Sequence, residues 1–212
     1  MTQNADFPKN YIEGHQNWVE GLSEKESSLY QHLGREGQTP TIMVIACCDS
    51  RKMVPDMFNA GPGEFFVLRN IANLVPPQGH DNGMAAAVEF GVNAFKVQHI
   101  IVMGHASCGG VAASASHFEA GDVSEGSQTL TWLSALKPAY EAINLIAETE
   151  DADFSTTFEK QAVKMSLDNL SGYAPVEAAI KEGRLGLHGF WFDIETARLH
   201  LLDTASDQFN PL

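Results

Sequence analysis

The chain has no apolar run near the roughly 18 residues that a membrane-spanning helix needs. Its opening, MTQNADFPKNYIEGHQNW, lacks the basic n-region and apolar h-region of a secretory signal, so the cytoplasm is the expected compartment. Positive charge is scarce. Thirteen Lys and Arg stand against 27 Asp and Glu, a net charge of −14. That excess argues against non-specific nucleic-acid binding and against anionic membrane surfaces. Cysteine is scarce too: there are three, Cys47, Cys48 and Cys108. An odd number with two adjacent members is no disulfide framework, and the C-x-x-C redox motif is absent. No internal repeat and no low-complexity linker interrupts the 212 residues.

What remains is enough for one core, with 44% hydrophobic residues. Residues 9–35 place Ile12, Trp18, Val19, Leu22, Leu29, Tyr30 and Leu33 at near-helical spacing, which predicts one or two amphipathic helices. The stretch is polar enough to be an arm, residues 1–36, on a catalytic body, residues 37–212. TIMVIACC is apolar on both faces, the mark of a buried parallel strand. A second strand is expected at Phe65–Leu68 and a third in HIIVMGH. GMAAAVEFGVNAF and the segment after Cys108 read as helices, as do 128–148, 155–171 and 173–182. RLGLHGFWFDI and RLHLLDT read as two closing strands with a turn near Glu195–Thr196, and ETEDADFS as an exposed loop. Alternating strands and helices predict an α/β fold: a mostly parallel central sheet flanked by helices, with an N-terminal helical arm.

Two of these strands end in reactive groups. One runs into Cys47-Cys48-Asp49-Ser50-Arg51, the other into His105-Ala106-Ser107-Cys108-Gly109-Gly110. Sites in open α/β sheets form beyond the carboxyl ends of strands. If the two strands are neighbours, Cys47, Asp49, His105 and Cys108 converge. Two thiolates, an imidazole and a carboxylate suit tetrahedral Zn²⁺, and three strong ligands with one exchangeable position is the pattern of a catalytic zinc. Taken singly, each half is weak, because a free cysteine often serves as a small buried hydrophobe. Side chains of adjacent strand residues face opposite ways, so Cys48 is expected to point away from the metal.

The pair of motifs resembles the β-class carbonic anhydrases, whose hallmarks are C-x-D-S-R and H-x-x-C-G-G. PGEFFVLRNIANLVPP, AAAVEFGV, HIIVMGH and HGFWFDIETARLHLL resemble the family as well, so the similarity runs from about Gln38 to Leu202. The resemblance implies one Zn²⁺ per chain on Cys47, His105 and Cys108, with reversible hydration of CO₂ to bicarbonate and a proton. Asp49 then either fills the fourth zinc position or pairs with Arg51 and leaves that position to water. Two thiolate ligands make such water less acidic than three imidazoles would, so activity is expected at neutral to alkaline pH. Around the substrate the resemblance places Gln38, Phe66, Ile71, Phe90 and Gly109. In the plant-like subgroup the glutamine and the aromatic pair reach in from a neighbouring subunit, which implies a homodimer or higher homo-oligomer. Some bacterial members hold a second bicarbonate with a tryptophan, an arginine and a tyrosine. The matching positions here are Val44, Arg69 and Phe192, so only the arginine is kept and the plant-like subgroup, with an open site, is implied. Three other readings compete: a carbonyl sulfide or carbon disulfide hydrolase on the same scaffold, a non-catalytic zinc-binding module, and a redox protein built on Cys47 and Cys48.

Overall fold

The computed structural model of the chain describes residues 7–121, 126–147 and 153–212. It divides into two compact units, residues 1–38 and 39–212.

The first unit is a pair of helices, α1 (Lys9–Glu20) and α2 (Glu24–Glu36). Ser23 starts α2 with a capping box: its side chain accepts from the Glu26 amide, and the Glu26 carboxylate accepts from the Ser23 amide at 2.8 Å. Two of the free amide donors at the helix start are thereby satisfied. Neither helix contains a buried residue. Tyr11, Ile12, Trp18, Val19, Leu29 and Tyr30 are all exposed, and Trp18 meets Tyr30 edge-on at 5.6 Å.

The second unit is built on a six-stranded sheet in the order β2-β1-β3-β4-β5-β6. The strands are β1 (Ile42–Cys47), β2 (Phe65–Asn70), β3 (His99–His105), β4 (Gly186–Asp193), β5 (Arg198–Asp203) and β6 (Gln208–Pro211). β2, β1, β3 and β4 run parallel; β5 and β6 are antiparallel additions. The sheet is therefore mixed, with a parallel centre. β1 and β3 lie side by side with Ile42 opposite His99 and Ala46 opposite Met103, so Cys47 and His105 emerge at the same sheet end. β6 has no counterpart in the sequence reading. Its only large hydrophobic, Phe209, is too weak a pattern to announce a strand.

Between the strands lie α3 (Val54–Met57), α4 (Asn82–Glu89), α5 (Gly109–Glu119), α6 (Gln128–Leu133), α7 (Lys137–Ala147), α8 (Phe154–Ser171) and α9 (Ala174–Lys181). Where one long helix was expected after residue 128, a 3₁₀ turn at Ser134–Leu136 separates α6 from α7. The expected loop at 148–155 falls mostly outside the described residues. Side-chain caps start several helices: Asp81 accepts from the Met84 amide and Asp153 from the Thr156 amide. Among the described residues three apolar clusters form the core. One packs Met43, Ile45, Ile100 and Val102 under α4, α8 and α9, and a second surrounds Cys47 and Cys108. The third holds Val44, Ala46, Ile101 and Met103. β1 contributes to both sheet faces, as expected of a continuous apolar strand.

Candidate metal centre

The first ligand strand ends under a staple. Arg69, on β2, donates from Nε to the Cys47 carbonyl at 2.9 Å, and from Nη2 to the carbonyls of Asp49 and Lys52. Cys48 donates its amide to the Asn70 carbonyl at 2.8 Å. Loop Cys47–Lys52 is thus held by backbone bonds rather than by packing alone. The turn after β3 is set by Ser107, which adopts a left-handed conformation (φ 53°) before α5 begins. Gly110 follows because α5 starts against residues 71–72. A Cβ on Gly110 would lie 2.9 Å from Ile71 Cγ2.

These turns bring three buried groups together. Cys47, His105 and Cys108 place one ligand atom each within 4.8 Å of one another, close enough to hold a single metal ion. The two sulfurs are 3.9 Å apart. His105 is fully buried; its Nδ1 is 2.9 Å from the Ala106 carbonyl, and its Nε2 has no hydrogen-bond partner among the described residues. A buried imidazole nitrogen without a partner is costly unless a further group binds it. The hydrogen bond from Cys108 pushes the Cys47 thiol down, against the opposing effect of burial, and His105 and the Asp49 and Ala72 amides add to the lowering. Cys108 is pushed up by the same contact and by burial, while the Val111 and Gly110 amides act the other way. The close contact of the two sulfurs thus opposes a second negative charge beside the first.

Asp49 stands beside this group and is held by Arg51. Arg51 Nε lies 3.0 and 3.1 Å from the two carboxylate oxygens, Nη2 lies 2.7 Å from Oδ2, and the Arg51 amide donates to Oδ1 at 2.9 Å. Arg51 is fixed in turn by donating to the Ser107 carbonyl at 3.0 Å. The guanidinium keeps the Asp49 carboxyl well below the usual carboxylate range. Asp49 Oδ2 is 3.9 Å from His105 Nε2.

The pocket residues divide. Ile71 is exposed and, with Cys48, Asn70 and Trp132 among others, lines an apolar cavity of about 390 Å³. Trp132 fixes that wall by donating to the Ile71 carbonyl at 2.9 Å. Gly109 is exposed at the start of α5, with open space where a Cβ would point. Phe66 and Phe90 form an aromatic trio with Phe95, at centroid distances of 4.9–6.1 Å. Phe66 pairs with Met43, four residues before Cys47, or roughly 13 Å along the strand. Within one chain, therefore, this pair does not meet the sulfurs. Gln38 is exposed and belongs to the first unit. Cys48 is exposed while Cys47 is buried, and all three cysteines are free, so the redox-pair reading finds no disulfide. Arg69 is occupied by loop carbonyls, and Val44 and Phe192 are buried.

Two residues here escaped the sequence reading. In the sequence Arg69 stands only as the one kept position of a second-bicarbonate set; that it staples the ligand loop is visible only in the fold. Glu159, on α8, is 3% exposed and accepts from the Cys108 amide at 3.0 Å and from Trp191 Nε1 at 3.1 Å. Its signal was available: Glu159 shares a helical stripe with Ala162, Val163 and Ser166, all buried.

The comparisons with known proteins agree with this geometry. The family model for carbonic anhydrase matches residues 42–199. β-Carbonic anhydrase 5 of Arabidopsis thaliana, a chloroplastic protein, is 36% identical over 77% of the chain and 54% of its own length. The chain thus spans little more than half of that plant relative. A carbonic anhydrase of Pseudomonas aeruginosa is 32% identical over 95% of the chain and 90% of its own length. A tetrameric β-carbonic anhydrase from Sordaria macrospora superposes with a TM-score of 0.78 at 29% identity, covering 92% of this chain and 95% of that one. With the ligand triad, the Asp49–Arg51 pair and the sheet order all in place, the chain belongs to the β-carbonic anhydrase family.

Proposed function

We propose that the chain hydrates CO₂ reversibly to bicarbonate and a proton, using one zinc ion held by Cys47, His105 and Cys108. The observation that carries this is the buried, partnerless Nε2 of His105 beside two sulfurs 3.9 Å apart. Zinc–sulfur bonds near 2.3 Å with tetrahedral angles require sulfurs about 3.8 Å apart. The donor set therefore fits zinc without rearrangement of the pair. Zinc supplies the Lewis acidity that makes water a nucleophile near neutral pH; the familiar value of about 7 for such water belongs to a three-histidine carbonic anhydrase.

The chain's own groups do the rest. Arg51 occupies both oxygens of Asp49 and so competes with a metal for that carboxylate. Asp49 stays ionised and next to the imidazole nitrogen, where it accepts a hydrogen bond from the attacking water and orients it. The apolar wall at Ile71 suits an uncharged, apolar substrate. Phe66 and Phe90, distant from their own chain's sulfurs, complete the pocket of a second copy. The bare apolar face of α1 and α2 supports pairing through the arm, and the similar Sordaria protein is tetrameric.

Stopped-flow CO₂ hydration, with zinc content measured on the same preparation, tests the reading. About one zinc per chain and hydration lost together with zinc in Cys108→Ala are expected. Zinc-loaded protein that hydrolyses carbonyl sulfide but does not hydrate CO₂ would overturn it.

A further inference from the structure

Glu159 is a buried acid for which the proposed reaction has no use. Its carboxylate is 3% exposed. Among the described residues no basic side chain lies within ion-pair distance of it; Lys160, its neighbour in sequence, instead places Nζ 4.6 Å from the centre of the Trp191 ring. An unpaired buried carboxylate is costly, and a leucine or methionine would fill the same helical stripe. The two oxygens are divided: Oε1 takes the backbone amide of Cys108, and Oε2 takes the indole N–H of Trp191 on β4. The glutamate thereby ties a ligand residue to the central sheet. α8 comes near enough because β3 carries Gly104, where a Cβ would lie 2.6 Å from Val163 Cγ2.

We propose that Glu159 is a positioning residue of the metal centre: it locks the backbone of Cys108 against β4, so that the sulfur is fixed where the ion must be met. The chemistry asks for a carboxylate. Both partners are N–H donors, and only an ionised carboxylate presents an acceptor on each oxygen; a glutamine would turn an NH₂ toward one of them. A divalent cation held by Cys47, His105 and Cys108 would also supply positive charge near the clamped residue. Hydrogen-bonded groups behind metal ligands typically change metal affinity ten- to a hundredfold when removed.

The inference rests on the zinc reading of Cys47, His105 and Cys108, and the test separates the two. Zinc affinity is measured on the full chain by competition with a chromophoric chelator, and the cobalt(II)-substituted protein is examined for its thiolate charge-transfer bands. Failure of the unaltered chain to bind zinc would refute the metal reading itself. Glu159→Gln is expected to bind zinc about ten- to a hundredfold more weakly, with shifted cobalt bands and little change in the melting temperature of the metal-free protein. Glu159→Gln with zinc affinity within twofold and an unchanged cobalt spectrum would overturn the proposal. So would a loss of affinity matched by the packing control Phe158→Leu. Should Glu159→Gln not fold, Trp191→Phe removes one of the two donors and keeps every ligand. A several-fold loss of affinity is expected there, and no change in affinity or spectrum would overturn the proposal equally.

Discussion

Lys52 carries a charge that the fold does not satisfy. It is 4% exposed, and its ammonium has no hydrogen-bond partner among the described residues. Burial pushes its pKa down to about 8, against the attraction of Cys47, Cys108 and Asp49. An unfolded lysine holds its proton to about pH 10.4. Between those two values the unfolded chain binds more protons, so stability rises with pH there; below pH 8 the full cost is present. Lys52→Met should therefore stabilise the protein at pH 7 by about 2–3 kcal/mol and flatten its stability between pH 8 and 10.4. Urea titrations at three pH values measure both effects, and an unstabilised Lys52→Met would show that the ammonium is solvated. Asp49 has the opposite sign. Arg51 lowers its pKa, so the ion pair contributes above the unfolded value of about 3.9 and is lost only as pH falls through and below it. Arg51→Ala should keep zinc and lower CO₂ hydration at least tenfold, because it frees the carboxylate to compete for the metal. Full activity in Arg51→Ala, assayed by stopped flow, would remove Asp49 from the gate.

Elements are placed by where the chain can afford no side chain. Gly104 near the end of β3 and Gly110 in the first turn of α5 let helices approach the ligand turns. Gly104→Ala would drive a methyl into Val163, a residue with no exposed surface. Overpacking of this kind costs about 1–3 kcal/mol. Val163→Ala should recover part of that loss, and a double-mutant cycle by urea denaturation reads the coupling directly. This scale also shows how far the sequence could be read. β1 and β3 announced themselves as continuous apolar runs, and the reactive residues stood at their ends, so the triad followed once the strands were neighbours. β6 did not, because QFNP offers one hydrophobic side chain and pairs through its backbone. The break between α6 and α7 was invisible too, since a 3₁₀ turn preserves much of the helical spacing. Glu159 and Arg69 were missed for a shared reason: both act on backbone groups far away in sequence, which residue patterns do not display.

The whole molecule presents an imbalance that one chain does not resolve. Its first unit, residues 1–38, buries no residue of either helix, while seven large apolar or aromatic side chains among its described residues stand exposed. A patch of that character marks an association surface. Deleting residues 1–38 should therefore convert an oligomer into monomers by light scattering and, on the proposed reading that a second copy completes the pocket, lower CO₂ hydration at least tenfold. A fully active monomer would place the whole pocket within one chain. The central claim, a three-ligand zinc site kept open by the Asp49–Arg51 pair, is tested most directly by a crystal structure of the zinc-loaded protein at about pH 8, above the water pKa of about 7 known for a zinc hydratase. The account predicts zinc on Cys47, His105 and Cys108, with Asp49 still held by Arg51. An Asp49 oxygen within about 2.2 Å of zinc, the length of a carboxylate bond, would contradict it.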